Sequence, residues 1–428
     1  MPTVSPTTPA SELRDAQLAA VRQLLGAVLP GNGFYTRKFG TEPREIDSFE
    51  TFAKLPFTTK AELTADQTEH PPYGTNLTYS LGRYSRFHQT SGTTTGHPLH
   101  WLDTRESWEW ITGCWLTNFA LIGLTSADRL FFPFSFGPFL GFWSAFEAAT
   151  RAEFLAMPGG GMSSTARLRF LLEHRCTVLF ATPTYALHLA EVAAKENLDL
   201  AASAVRAIVV AGEPGGNILA TRQRLEDAWG ARVFDHYGMT EVGPVAIEAK
   251  ECPGAMYLLE CDYLAEVISA HTGLQVPDGE TGELVITNLG RVGSPLIRYR
   301  TGDVVRIARA PDTTGRTWRR LDGGILGRAD DMINVRGNNV YPAAIEAIVR
   351  RFPLVAEYRI HIDHTNPLAD LRLEVEPASG DGIALAEAVG RAVRDELYFR
   401  VDVTAAPPGT LPRFEMKAAR VVRTECKR

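Results

Sequence analysis

The 428-residue chain predicts an α/β protein. A large N-terminal domain should carry mostly parallel sheets covered by helices, with a β-rich subdomain inside it, ahead of a small mobile α+β C-terminal domain. Three observations point there. Between residues 129 and 236, short continuous apolar runs alternate with longer segments at helical spacing, the pattern of parallel strands buried on both faces. From about 244 to 326 short strands and turn signals dominate (PDGETGELVIT, GSPLIRYRTGD, PDTTGRTW). The last hundred residues read as strand, helix, two strands, helix and strand, too small to be the main body. The expected division is 1–326, a hinge at 327–331, and 332–428.

Each element has its own signal. Residues 11–29 (SELRDAQLAAVRQLLGAVL) place apolar side chains at helical spacing. A second helix is expected from Asp103, where Asp-Thr-Arg-Glu resembles a capping box ahead of SWEWITGCWLTNFALIGL. Strands are then expected at 129–133, 153–157, 177–181, 207–211 and 232–236. Helices fall between and after them near 139–150, 163–174, 184–196 and 216–229. In the last module, helices are expected at 342–351 and 382–397.

Composition excludes several classes. Hydrophobic residues make up 45% and charged residues 22%, ordinary for a globular protein. A formal net charge of -6 leaves no basic footprint for nucleic acid. No apolar run reaches the roughly 18 residues of a membrane helix. The start, MPTVSPTTPASELRD, lacks the basic and apolar segments of a secretory signal and is expected to be a disordered lead-in to a cytoplasmic protein, monomeric or homodimeric. Five cysteines without tight spacing fit a reducing compartment better than a disulfide framework.

One short loop carries the chemistry. Residues 87–98 read FHQTSGTTTGHP, with Ser, Thr and Gly in an unbroken run. Such a run serves either as a flexible linker or as a cradle whose amides and hydroxyls wrap a phosphate chain. A P-loop needs Gly, four residues, then Gly-Lys-Ser/Thr. Gly92 and Gly96 are three residues apart, with His97-Pro98 following, so that motif is excluded.

The same loop resembles the phosphate-binding loop of the adenylate-forming superfamily, the acyl-CoA synthetases and peptide-synthetase adenylation domains. Further motifs follow in that family's order. His236-Tyr237-Gly238-Met239-Thr240-Glu241 resembles YGxTE. Tyr299-Arg300-Thr301-Gly302-Asp303 matches YRTGD, and residues 327–337 match GRxDDxIxxRG. Leu411-Pro412-Arg413-Phe414-Glu415-Met416-Lys417 resembles the tail LPRxxGK, and Ala211-Gly212-Glu213-Pro214 a GAEP adenine loop. Chain length, the GEP segment, RGNNVYP and the short last module are similar to the phenylacetate–CoA ligase branch.

The resemblance implies an enzyme that uses ATP and Mg2+ to convert an aryl carboxylic acid to an acyl-adenylate, then transfers it to CoA. It assigns Thr90, Ser91, Gly92, Thr93, Thr94, Thr95 and Gly96 to the phosphates, where hydroxyls donate and glycines allow close approach. It places Gly212, Glu213, Pro214, His236, Tyr237 and Gly238 around the nucleotide, and Asp303 and Arg328 at the ribose and phosphates. Thr240 and Glu241 become catalytic, Glu241 also holding Mg2+ through an oxygen, and Lys417 becomes the adenylation catalyst. Asp330 becomes the hinge whose rotation removes Lys417 after the first half-reaction. The acid's pocket would be walled by Phe134, Phe136, Ala211, Gly212, His236, Tyr237, Gly238 and Met239. For Phe134 and Phe136, an ordinary packed core is the competing reading.

Three departures qualify the resemblance. His97 stands where the family usually has Lys, the loop has an extra Thr, and Met416 replaces the Gly before the tail lysine. Relatives bind structural zinc near Cys252–Asp262, but Tyr257 and Asp262 fall near the histidine positions, so zinc is doubtful. Two alternatives stay open: a stand-alone aryl-acid AMP ligase that loads the phosphopantetheine of an acyl or peptidyl carrier protein or another nucleophile in a biosynthetic pathway, and a catalytically decayed nucleotide-binding protein.

Overall fold

The first helix forms where the apolar spacing predicts it. In the computed structural model it spans Ala10–Val28 and buries Leu13, Val21, Leu24, Leu25 and Val28 along one face. The residues described are 4–40, 45–90, 98–310, 312–329, 333–335, 338–363, 370–414 and 418–424. The next long helix, Arg105–Leu121, starts two residues later than expected. Thr104 caps it by accepting from the Ser107 amide, while Asp103 sits in the strand His100–Thr104. Asp103 is buried against another partner, described below, and a carboxylate so held cannot also cap.

The alternating region follows the apolar runs. Strands Arg129–Phe132, Leu155–Pro158 and Val178–Ala181 are parallel neighbours, the first in the middle. Helices Trp143–Arg151, Ser164–Glu173, Pro183–Lys195 and Leu219–Trp229 alternate with them and with the fully buried strand Ala207–Val210.

The β-rich stretch serves two sheets. Arg232–Met239, Gly243–Ala249, Cys252–Leu258 and Arg320–Asp322 run antiparallel, each beside the next. Tyr263–Ile268, Thr281–Asn288 and Tyr299–Arg306 form a separate antiparallel succession.

The chain resolves into two compact units. One comprises Met1–Met162, Cys176–Phe180 and Phe234–Ile325; the other comprises Ser163–Arg175, Ala181–Val233 and Leu326–Arg428. Within the second unit, four strands form a sheet ordered Asp402–Ala405, Asp370–Pro377, Val355–Asp363, Val421–Thr424. Helices Pro342–Val349 and Gly382–Leu397 share a core with that sheet, including Ile345, Val349, Ile360, Leu373, Val389 and Val393. Among the described residues no helix is long and apolar enough to cross a membrane.

Candidate active site

The glycine loop stands at the end of a hairpin. Strands Tyr84–Gln89 and His100–Thr104 pair antiparallel, with His88 opposite Trp101 and Gln89 opposite His100. Thr90 then closes the neck. Its amide donates to the Leu99 carbonyl at 2.9 Å, and its hydroxyl accepts from the Leu99 amide at 2.9 Å. Thr90 is thus buried as a clamp at the loop's base. Ser91, Gly92, Thr93, Thr94, Thr95, Gly96 and His97 lie outside the described residues.

The HYGMTE segment ends one strand and turns into the next. Pairing between Arg232–Met239 and Gly243–Ala249 shifts register between Tyr237 and Gly238. A Cβ on Gly238 would stand 2.6 Å from the Gly243 carbonyl oxygen, so the close backbone approach requires glycine. Tyr237 donates its hydroxyl to Asp303 Oδ2 at 2.6 Å, and both side chains are buried in the first unit. Two expected nucleotide ligands, from motifs 66 residues apart, therefore meet.

Glu241 is buried, and its Oε1 lies 3.3 Å from Lys60 Nζ. The backbone around it is held by Arg291, which no motif announced. The guanidinium of Arg291 is fully buried and grips both oxygens of Asp103 at 2.6 Å. Its Nη1 also donates to the carbonyls of Thr240 at 2.7 Å and Glu241 at 2.9 Å. Arg291 therefore ties the loop hairpin, through Asp103, to the Thr240–Glu241 turn. The only sequence signal was an arginine in NLGRVG between apolar runs.

Phe134 and Phe136 are half-buried in a dense aromatic group. Phe134 stacks on Phe142 at 5.5 Å, Phe136 meets Trp143 edge-on at 5.3 Å, and Phe132 stacks on Phe180 at 4.5 Å. His236 stacks on Trp115 with ring centroids 4.3 Å apart. Phe132 and Phe180 are the packed core; Phe134 and Phe136 keep partly open faces.

Burial alone lowers the His236 imidazole to about 3. Burial also lowers His88 to about 4, partly opposed by the nearby Asp103 carboxylate. Both rings stay neutral at physiological pH, whereas in an unfolded chain they protonate below about 6.5. Between those values the unfolded state binds more protons, so stability is full above pH 6.5 and is lost as pH falls toward 4 and 3. The melting temperature should therefore fall between pH 6.5 and 5, and His236→Phe should make that fall shallower. An unchanged slope in the variant would contradict the neutral assignment.

Ala211, Gly212, Glu213, Pro214 and Arg328 belong to the second unit. Gly212 adopts φ +93°, a left-handed turn that favours glycine. Both carboxylate oxygens of Glu213 accept from backbone amides of the protein itself, Thr184 at 2.8 Å and Ala418 at 2.7 Å. Arg328 lies half-buried in the short strand Gly327–Arg328. Asp330 and Lys417 lie outside the described residues. At the doubtful zinc position, Arg320 donates to Cys252 Sγ at 3.2 Å and Tyr257 donates to Asp312. Among the described residues no three His, Cys, Asp or Glu side chains gather into a metal cluster.

Comparison with known proteins gives the same direction throughout. The AMP-binding enzyme family matches residues 90–290, and the AMP-binding enzyme C-terminal domain matches 337–424. The chain is 29% identical to the phenylacetate-coenzyme A ligase of Thermus thermophilus over 434 aligned residues, 96% of each protein. It is 28% identical to a 2-hydroxyisobutyryl-CoA ligase solved in the postadenylation state with 2-HIB-AMP. The TM-score is 0.92, over 99% of this chain and 94% of that one. Against that ligase with 2-HIB-AMP and CoA in the thioesterification state, identity is 30% and the TM-score 0.74, over 97% and 91% of the two chains.

Proposed function

Because this chain belongs to the AMP-binding enzyme family, in its phenylacetate–CoA ligase-like branch, we propose that it activates an aryl carboxylic acid with ATP and transfers the acyl group to CoA. The activity itself, AMP-forming ligation of an acid to CoA through an acyl-adenylate, follows from the family. The ring is our inference, and the observation that carries it is the partly open aromatic wall of Phe134 and Phe136. Flat aromatic contacts of this kind reward a planar substrate. We therefore propose a phenylacetate-, benzoate- or aminobenzoate-like acid as the substrate.

In the first half-reaction a carboxylate oxygen attacks the α-phosphorus of ATP, the α–β bridging bond breaks, and pyrophosphate leaves. Two anions must approach, so fixed donors and cations around the phosphates lower the barrier. We assign the phosphates to the Thr90–Gly96 loop, the ribose hydroxyls to Asp303 with Arg328, and the attack to Lys417. Glu241 with Thr240 would hold Mg2+, whose charge would offset that of the nucleotide's phosphates. Among the described residues no wider ligand cluster surrounds the buried Glu241 carboxylate, and one hard oxygen donor of that kind fits an ion that arrives with the nucleotide. In the second half-reaction the CoA sulfur attacks the acyl carbon, the thiol proton passes to solvent, and AMP leaves. Rotation about Asp330, moving 332–428 relative to 1–326, would clear Lys417 for that step.

A panel of aryl acids, with 2-hydroxyisobutyrate as the aliphatic comparator, tests the ring. Pyrophosphate release should be fastest with an aryl acid, and preference for the aliphatic one would contradict the proposal. Asp303→Ala should weaken ATP binding by about 1.5–3 kcal/mol, roughly 10- to 150-fold, for a lost charge-assisted hydrogen bond. Tyr237→Phe removes only the donor to Asp303 and should cost far less. Calorimetry showing unchanged ATP affinity in folded Asp303→Ala would remove the ribose role.

A further inference from the structure

We propose that Glu213 is a latch that holds the C-terminal tail in place for adenylation, acting as a positioning residue. The inference rests on Lys417 being the adenylation catalyst. Within the second unit, Glu213 Oε1 accepts from the Thr184 amide at 2.8 Å and Oε2 accepts from the Ala418 amide at 2.7 Å. Ala418 is the residue immediately after Lys417. One carboxylate thus joins the start of the helix Pro183–Lys195 to the tail, and the first-turn Thr184 amide it meets belongs to the positive end of that helix.

A second tie runs in parallel. Arg420 donates from Nη2 to the Thr184 hydroxyl at 3.0 Å, while its guanidinium grips Glu357 at 2.6 and 3.0 Å. Arg420 and Glu357 are both buried, so residues 418–420 are fixed to the small module and to the helix start together. The chemistry needs a carboxylate at 213. Both partners are backbone donors, and only an ionised acid offers an acceptor to each. Glutamine would turn an NH2 toward one of them. The latch therefore favours the tail arrangement that serves the first half-reaction, and it must open for any arrangement that removes Lys417.

Single-turnover measurements on Glu213→Gln test this, following acyl-adenylate formation from ATP and thioester formation from supplied acyl-adenylate and CoA. Adenylation should slow about 10- to 100-fold, the scale of a misplaced catalytic group, with thioester formation within about twofold of normal. Equal loss in both steps, no loss in either, or a raised KM for ATP with an unchanged adenylation rate would overturn the latch. Glu213→Asp keeps the charge, shortens the reach to both amides and covers the case in which Glu213→Gln misfolds. It should slow adenylation alone by about 2- to 12-fold, one hydrogen bond's worth, and an unaffected rate would overturn the latch equally. Lys417→Ala run alongside separates the two claims. Normal adenylation there removes the catalyst and the latch together, whereas slow adenylation there with normal Glu213→Gln removes only the latch.

Discussion

Lys417→Ala should slow acyl-adenylate formation by about 10²–10³-fold, the usual cost of removing one group that stabilises developing charge. Thioester formation from a supplied adenylate should be spared, because there the phosphate chemistry is already complete. The described residues on either side of positions 415–417 are tied to the protein. Before residues 415–417, Glu376 accepts from the amides of Gly409 at 3.0 Å and Leu411 at 2.8 Å and pairs with Arg413 at 2.6 Å. After them, Ala418 and Arg420 are tied to Glu213, Thr184 and Glu357. Quench-flow assays of the two half-reactions decide the matter, and an equal loss in both would move Lys417 out of the catalytic role.

Asp103→Ala should be the most damaging single change to stability. The Asp103–Arg291 pair is entirely enclosed, with neither side chain exposed. Removing one partner strands a buried guanidinium and costs about 3–5 kcal/mol, which lowers the melting temperature by roughly 3–9 °C. Adenylation should fall as well, because the stranded Arg291 also donates to the carbonyls of Thr240 and Glu241. Replacing both partners by apolar residues, Asp103→Leu with Arg291→Met, should recover part of the stability. Recovery should stay incomplete, since the two carbonyls lose their donor. Calorimetric melting of the single and double variants checks this, and a wild-type melting temperature in Asp103→Ala would contradict the enclosure.

The two variants also show where sequence reading succeeds and stops. The alternating strands and helices were legible because their signal is periodic and local, as in the buried run at Val178–Ala181. The motif residues Tyr237 and Asp303 were legible as family letters, though only folding shows that one hydrogen-bonds the other. Asp103 was misread as a capping residue because Asp followed by Thr and Glu satisfies a local rule. Its actual partner lies 188 residues away, and no local pattern reports a pairing at that distance. Glu213 was read as a nucleotide residue, and its tie to the tail was not legible in the sequence for the same reason. The loop motif is visible in the chain, but the tail amide that its carboxylate accepts from is 205 residues further on.

The most direct test of the account follows an oxygen atom. If the acid's carboxylate attacks the α-phosphorus, that oxygen stays on phosphorus when the CoA sulfur displaces AMP from the acyl carbon. With an aryl acid labelled with 18O in both carboxylate oxygens, mass spectrometry should find one 18O in AMP and one in the thioester carbonyl, with unlabelled pyrophosphate. Label in inorganic phosphate, or formation of ADP in place of AMP, would contradict an acyl-adenylate route.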